Sequence, residues 1–474
     1  MLGARTIKFK TLLLSIFVTT LFSCGKDSDP DPIIVITDDD TVPMGFLGEL
    51  DFVKTFGGSD EDDAVSIVQA NDGAYVILGS TKSTDGDLAG RTGNDSDYWL
   101  LKLSETGEKL WSKTYGGSDS DVATSIVNTS DGGYILTGYS ESSDGDITIN
   151  AGFQDYWVVK VDASGTMQWQ KSFGFPGQDQ AYKVLETSEG NYFVSGYFDI
   201  GACDPDPDIL CPGNDLQGGG QTTRSARGAR HGVGEYWGIL MDANGTKIWR
   251  RYFGGSNNDR SYDAAQTNDG GFLITGASES FDFDITDDKG TYDFWAVRLS
   301  ASGEKLWTKS FGGSEIDIGY ALTKTQDGNY IMVGDTRSMD GDVSMNNGNA
   351  DAWVVKFDDN GAILWEKSFG GSEFDSARGI RQMANGSFVI SGSSRSANGD
   401  LSSNNGQNDI WIFIIDANGN MTYQTSIGGA NLDLGNDAIY TFNDEIVAIG
   451  NTESNDGDIT TNRGTKDLVV IKIY

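Results

Sequence analysis

The chain has few of the side chains on which most catalytic and zinc sites depend. Its 474 residues contain one histidine and three cysteines. The single histidine, His231, argues against a Ser-His-Asp or Cys-His catalytic site, because such sites need a histidine held beside the nucleophile. A zinc site is disfavoured too, since zinc in proteins is usually held by several Cys and His side chains.

Basic residues and proline are also scarce. The chain has 34 Lys and Arg against 70 Asp and Glu, which gives a formal net charge of −36. This balance argues against nucleic acid as a partner, because phosphate binding relies on clustered Lys and Arg. With 7 prolines and 63 glycines, the composition favours many short strands joined by tight turns. We identify no motif for an organic cofactor.

The dominant feature of the sequence is a unit of about 58 residues, which recurs seven times from Phe56 to the last residue. Copy five opens with Phe311-Gly-Gly-Ser-Glu-Ile-Asp317 and continues through an acidic loop to a closing Leu364-Trp365-Glu-Lys367. In copy two we predict four strands, at Ala123–Asn128, Tyr134–Tyr139, Asp155–Val161 and Met167–Phe173. Four-stranded antiparallel sheets repeated around an axis make an all-β propeller.

The two ends of the repeat array predict how the propeller closes. The last copy stops at its third strand, Asp467 to Tyr474, and lacks a fourth. A segment that matches the fourth strand, residues 50–56, stands before the first copy. We therefore expect this N-terminal strand to complete the last of seven blades, which leaves no open sheet edge at the seam.

The units resemble a family of seven-bladed β-propeller repeats. Its signature pairs a Gly-Gly-Ser-x-x-Asp opening with a Lys-x-Asp-x-x-Gly turn. In this chain the two elements are Tyr115-Gly-Gly-Ser-Asp-Ser-Asp121 and Lys160-Val-Asp-Ala-Ser-Gly165. The resemblance covers residues 50–474 and implies the fold and an extracellular setting. It implies no catalytic residues, since the family has none in common.

The N-terminal region predicts export and lipid anchoring. Residues 1–23 have the basic start and short apolar stretch of a signal peptide. Leu21-Phe-Ser-Cys24 resembles a bacterial lipobox, which implies that Cys24 is lipidated; an ordinary signal peptide with a chance cysteine is the alternative. Residues 24–46 then form a flexible tether, and 47–474 the propeller. The acidic run after Cys24 resembles a signal for the outer face of the Gram-negative outer membrane, or is a generic linker.

Positions repeated in every blade are expected to be structural. Six tryptophans share one third-strand position and five share one fourth-strand position, so we expect them to pack between blades rather than bind sugars. The aspartate that ends the opening motif is expected to accept backbone N–H bonds and fix the turn between blades. It occurs in all seven copies: Asp62, Asp121, Asp179, Asp259, Asp317, Asp375 and Asp433.

The loop between the second and third strands carries oxygen side chains at alternate positions, followed by a later carboxylate. Ca²⁺ needs six to eight oxygen ligands, so this spacing makes calcium a possible ligand; a loop stabilised by Asx turns in water is the alternative. The candidate ligands in copies two, five and seven are Asp144, Asp146, Asn150 and Asp155; Asp340, Asp342, Asn346 and Asp351; and Asp456, Asp458, Asn462 and Asp467.

Copy three replaces this loop with an insertion at about residues 201–234. It contains Cys203 and Cys211, for which a disulfide is the default expectation in an oxidising compartment. It also holds Arg224, Arg227, Arg230 and His231, a basic spot on an acidic protein. The insertion is either a contact for a partner or ligand or a neutral excursion of the chain.

A second break in the repeat lies in the predicted innermost strand. After a small residue, four consecutive copies carry Tyr182, Tyr262, Tyr320 and Arg378. Together near the channel mouth, these side chains suit a planar, polar or anionic ligand. Variation on a wall packed between blades is the alternative.

These observations predict a non-catalytic, monomeric lipoprotein on the cell surface that binds a protein partner or an extracellular polysaccharide. The alternative is a carbohydrate-active enzyme, a glycosidase or lyase, with its site on the acidic face of the propeller, where the acidic loops lie. Propellers host such enzymes, but the sequence singles out no catalytic pair of carboxylates.

Overall fold

The computed structural model describes residues 46–199 and 234–474. The predicted signal peptide, Cys24, the tether up to residue 45, and the insertion with Cys203, Cys211 and His231 lie outside the described residues. Within the described ranges, no helix is long and apolar enough to cross a membrane. The sole helical element there is a 3₁₀ turn, Gly86–Leu88.

The described chain is almost entirely β-strand. In order, its strands are β1 (Leu50–Phe56), β2 (Ser66–Gln69), β3 (Tyr75–Thr81), β4 (Asp97–Leu103), β5 (Lys109–Tyr115), β6 (Asp121–Asn128), β7 (Tyr134–Ser140), β8 (Asp155–Val161), β9 (Met167–Phe173), β10 (Gln180–Glu186), β11 (Tyr192–Phe198), β12 (Glu235–Met241), β13 (Lys247–Phe253) and β14 (Asp259–Gln266). The second half contains β15 (Phe272–Ser278), β16 (Asp293–Leu299), β17 (Lys305–Phe311), β18 (Asp317–Lys324), β19 (Tyr330–Thr336), β20 (Asp351–Phe357), β21 (Ile363–Phe369), β22 (Asp375–Gln382), β23 (Phe388–Ser394), β24 (Asp409–Ile415), β25 (Met421–Ile427), β26 (Asp433–Tyr440), β27 (Ile446–Thr452) and β28 (Asp467–Ile473).

These strands form seven four-stranded antiparallel blades of a propeller, which confirms the predicted fold. Blades 1 to 6 each take four consecutive strands, from β2–β5 for blade 1 to β22–β25 for blade 6. Blade 7 has the order β1-β28-β27-β26. The N-terminal strand β1 is therefore the outer strand of the last blade, as the offset of the repeat predicts, with Val53 paired to Ile471.

The predicted strands of copy two are also found in the structure. Its third and fourth strands have the predicted bounds, whereas the first begins earlier, at Asp121, and the second ends one residue later, at Ser140. The first strand is longer because Asp121 already pairs with Ser140 across the blade.

The hydrophobic core lies between the blades rather than within them. The second and third strands of each blade are almost wholly buried, while most fourth strands are only partly buried. Each of the seven hydrophobic clusters in the described chain joins two adjacent blades. No blade can bury its own faces, so the closed ring is needed to complete the core.

The tryptophans pack between blades, as predicted. All six third-strand tryptophans are at most 1% exposed. Trp157 packs on Tyr98 of the preceding blade, with ring centroids 4.5 Å apart, and the Tyr98 hydroxyl donates a hydrogen bond to the Trp157 carbonyl. The fourth-strand tryptophans instead lie against a glycine turn of the next blade. Gly165, at φ +76°, would place a Cβ 3.2 Å from the Trp111 ring.

Candidate functional site

The four candidate ligand-binding residues come together in the central channel. Tyr182, Tyr262, Tyr320 and Arg378 line one cavity of about 90 Å³. Each is the residue skipped by the pairing register of its first strand, and therefore sits in a β-bulge. A bulge bends a strand and re-aims one side chain, and bulges are frequent beside functional sites.

The side chains at this bulged position differ around the ring. The remaining blades carry Val65, Thr124 and Asn436, which line the same cavity. Thr124 and Asn436 are engaged in the wall: each donates a hydrogen bond to a carbonyl of the next blade, at 2.9 and 2.6 Å. The tyrosines and Arg378 contact one another, although the Tyr182 hydroxyl also donates to Gln180 Oε1 at 2.9 Å.

Four tyrosine rings form a continuous row in the wall, which we call the tyrosine row: Tyr197, Tyr182, Tyr262 and Tyr320. Successive ring centroids are 6.0, 5.2 and 5.4 Å apart. An arginine covers each end. Arg260 lies over Tyr197 at 5.0 Å, and Arg378 lies over Tyr320 at 3.6 Å. Such cation–π contacts hold a guanidinium in a fixed plane.

Sequence reasoning missed two members of this arrangement, Tyr197 and Arg260. Tyr197 lies on the second strand of blade 3, at a position that also varies around the ring. The equivalent residues are Ser80, Tyr139, Ala277, Asp335, Ser393 and Asn451. The variation at this second-strand position is the signal in the sequence that could have identified Tyr197. Burial raises the pKa of Tyr197 to about 12, so its hydroxyl is neutral near pH 7.

The next residue along each first strand also lines the cavity. Here Lys183 pairs with Asp263 at 2.9 Å, and nearby Arg381 pairs with Asp437 at 3.2 Å. Both aspartates also accept a backbone N–H from a neighbouring blade, from Leu322 and from Ile67. These ion pairs connect blades, and they occupy two of the cations that face the cavity.

The aspartates of the opening motif have the predicted structural role. Each accepts a backbone N–H from its own opening turn, as in the 2.8 Å bond from Gly429 to Asp433. Asp433 also accepts hydroxyl hydrogen bonds from Thr452 and Ser454. Its own backbone N–H donates to Asn408 of the preceding blade. One residue therefore fixes the turn and ties two blades together.

A second buried carboxylate faces the opening-motif aspartate at each junction. At six junctions the Oδ1 atom of this aspartate has no hydrogen-bond partner in the described structure; the residues are Asp97, Asp155, Asp293, Asp351, Asp409 and Asp467. A Cβ on Gly428 would lie 2.5 Å from Asp409 Oδ1 and 2.9 Å from Asp433 Oδ2, which shows how closely two carboxyls approach one glycine. Burial raises the pKa of Asp409 to about 6.

The acidic loops divide their candidate calcium ligands between two turns. The first aspartate of each loop accepts a backbone N–H from the opening turn of its own blade, as Asp144 does from Ser118. The last, such as Asp155, faces the opening turn of the next blade, at Gly174. The asparagines form Asx-type bonds: Asn150 accepts the N–H of Gly152 and donates to the Ser140 carbonyl.

The equivalent residues of the other two candidate loops repeat this pattern. Among the described residues, no group of three or more His, Cys, Asp or Glu side chains is placed to hold a metal ion. Calcium binding stays a prediction, and the hydrogen bonds of the loops account for their conserved spacing within the chain without it.

In comparisons with known proteins, no protein-family model matches the chain. The regulatory protein FlaEY of Caulobacter vibrioides is 25% identical over 223 residues, which cover 40% of this chain and 22% of FlaEY. The match thus spans less than a quarter of FlaEY.

Several solved structures are similar in fold. The WD40 domain of Neurospora crassa Pan2 has a TM-score of 0.46 at 10% identity, covering 88% of this chain and 95% of that domain. A virginiamycin B lyase from Staphylococcus aureus has a TM-score of 0.44 at 10% identity, covering 89% and 99%. A protein of unknown function from Dyadobacter fermentans has a TM-score of 0.42 at 12% identity, covering 90% and 99%.

Proposed function

We propose that this protein is a non-catalytic, lipid-anchored propeller of the outer cell surface that binds a partner protein or an extracellular polysaccharide in its central channel. The observation that carries the proposal is the departure from sevenfold symmetry at the bulged position. Four consecutive blades present Tyr182, Tyr262, Tyr320 and Arg378 to one cavity, whereas the equivalent residues elsewhere are small or bonded into the wall.

The cavity has the properties of a ligand site. The cavity is small, about 90 Å³, with aromatic and cationic side chains converging on it, so it suits one compact group of a larger ligand. Aromatic rings supply contact area at low entropic cost, and tyrosine and arginine are enriched among the residues that dominate binding energy. The wall is rigid, because it consists of hydrogen-bonded strands.

Membrane anchoring is supported by the sequence alone, through the lipobox-like Leu21-Phe-Ser-Cys24. Replacing the lipidated residue, Cys24→Ser, should move the protein from the membrane fraction to the soluble fraction of cells. Retention in the membrane fraction would contradict lipid anchoring through this residue.

The ring itself supplies a conservative test of the binding site. A symmetrised variant replaces Tyr182, Tyr262 and Tyr320 with Thr, and Arg378 with Asn, the residues that blades 2 and 7 carry at the same position. Because both residues already fit this bulge, we expect the disc to fold. Wild type and variant would be compared on a glycan array and in pull-downs from native cell envelopes.

The proposal predicts that wild-type protein captures a glycan or an envelope protein and that the symmetrised variant loses this binding. Equal binding by both proteins would show that the channel is not the binding site. Release of shortened products from any polysaccharide by the wild-type protein would establish the enzyme alternative.

A further inference from the structure

We infer that the channel cavity takes a carboxylated sugar ring, present once at the end or on a branch of an otherwise neutral glycan, and that Arg378 contacts its carboxylate. This inference rests on the proposed function and names the ligand class for the same cavity. Three observations support it: the contacts of the cations in the cavity, the shape of the cavity wall, and the charge of the rim of the channel, where the acidic loops lie.

Arg378 is the cation that the cavity wall leaves available. Lys183 and Arg381, which also line the cavity, are held by Asp263 and Asp437. Arg378 is exposed and forms no ion pair with any carboxylate of the described chain; its guanidinium lies against the Tyr320 ring.

One buried carboxyl lies near enough to influence Arg378, that of Asp335. It is only 2% exposed, and it accepts a hydrogen bond from Ser376 at 2.9 Å. Burial raises its pKa, although Arg378 opposes that shift. Asp335 is therefore a buried part of the wall, and it forms no ion pair with Arg378 in the described structure.

A stacked guanidinium is suited to a carboxylate. The Arg378 Cζ atom lies 3.6 Å from the centroid of the Tyr320 ring, the distance of a stacked guanidinium, whose N–H donors lie at its edges. Planar guanidinium donors match the two oxygens of a carboxylate, and such charge-assisted pairs are stronger than neutral hydrogen bonds. The stacking fixes the donor plane before the ligand arrives.

The tyrosine row favours a sugar ring beside that carboxylate. Tyr182 and Tyr262 meet edge to face at 5.2 Å, and Tyr262 and Tyr320 are tilted by 46°. These rings offer apolar surface for a sugar's C–H groups together with hydroxyl groups for its polar edge. The cavity is small, about 90 Å³, and is bounded by the first strands of the ring, which favours a compact terminal group over an extended chain.

The rim of the channel favours one carboxylate over many. The acidic loops emerge on the face where the first strands begin, and their leading residues Asp144, Asp340 and Asp456 are exposed. These aspartates do not line the cavity, but a protein face that carries charge of one sign repels ligands of the same sign. A polyanion would meet this rim along its length, whereas a neutral glycan with one terminal carboxylate brings its charge only to Arg378.

The test uses an array of oligosaccharides that end in a uronic acid, each paired with the neutral oligosaccharide of the same linkage. The strongest pair is then titrated calorimetrically with wild type, Arg378→Ala, Arg378→Lys and Arg395→Ala. Arg395 is a matched control, because it is also an exposed arginine of blade 6.

We expect wild-type protein to bind the acidic member of the pair at least about tenfold more tightly than the neutral one. Arg378→Ala should remove that preference, Arg378→Lys should retain part of it, and Arg395→Ala should leave it unchanged. A polyuronate should bind more weakly than the singly charged oligosaccharide.

Four outcomes would overturn the inference: no acidic oligosaccharide binds, neutral members bind equally well, Arg378→Ala keeps the preference, or a polyuronate binds most tightly. Capture of peptide C termini in place of glycans would also overturn it. The proposed function survives each of these results if the symmetrised variant still loses envelope binding, so the two failures are distinguishable.

Discussion

The buried carboxyl pair between blades 6 and 7 gives the sharpest stability prediction. Asp409 is fully buried and accepts one hydrogen bond, from the Asn405 N–H at 2.8 Å. Its other oxygen has no partner in the described structure and faces Asp433. Asp409→Asn keeps the shape and the single acceptor, removes the charge, and adds an amide that can donate toward Asp433.

The size of the effect follows from proton linkage. Burial raises the pKa of Asp409 from 3.8 to about 6. Between these values the folded state binds more protons than the unfolded state, so stability falls as pH rises through this window and stays lower above it. One pKa unit corresponds to about 1.4 kcal/mol. Allowing for relaxation of the site, Asp409→Asn should stabilise the protein by about 1 to 3 kcal/mol at pH 7.5.

The assay is urea unfolding followed by tryptophan fluorescence at pH 7.5 and pH 4. At pH 4 the gain should nearly vanish, because the wild-type carboxyl is then protonated when folded. Asp433→Asn is the control of opposite sign. Burial raises the pKa of Asp433 as well, but Asp433 accepts three hydrogen bonds that an amide cannot all accept, so we expect a loss of about 1 to 3 kcal/mol. Destabilisation by Asp409→Asn at pH 7.5, or a gain that persists at pH 4, would refute the reasoning.

Three further predictions concern the ring. Trp157→Ala should cost about 3 to 5 kcal/mol in urea unfolding, because the side chain is fully buried between blades; a loss below about 1 kcal/mol would be inconsistent with that role. Deleting residues 46–56 should lower the melting temperature and cause self-association, seen by light scattering, because β28 becomes an open edge; a stable monomer would contradict the closure. If the acidic loops bind calcium, chelation should lower the melting temperature, and an unchanged midpoint would contradict calcium binding.

The fold could be predicted from the sequence because each repeat marks its own turns and strands. The position of residues 50–56 was predictable as well, since a missing fourth strand at one end and an extra one at the other leave one way to close the ring. The same repeat identified Tyr182, Tyr262, Tyr320 and Arg378 as exceptions to the symmetry. It could not show that they occupy bulges, which depend on pairing with the second strand.

Two features of the site depended on packing between strands. Tyr197 joins the tyrosine row from the second strand, so an alignment of first strands does not contain it. The acidic loops have calcium-like spacing, but Asp144 and Asp155 face the opening turns of two different blades. Regular spacing of ligands along a loop predicts one coordination shell only where the loop curls around a single point. Each acidic loop instead connects two junctions between blades.

The most direct test of the account is a crystal structure of the protein with the glycan it captures most strongly from the envelope. We expect ligand density in the central channel, in contact with Tyr262 and with the guanidinium of Arg378. Density on the outer edge of the blades, or over the acidic loops with the channel empty, would contradict it.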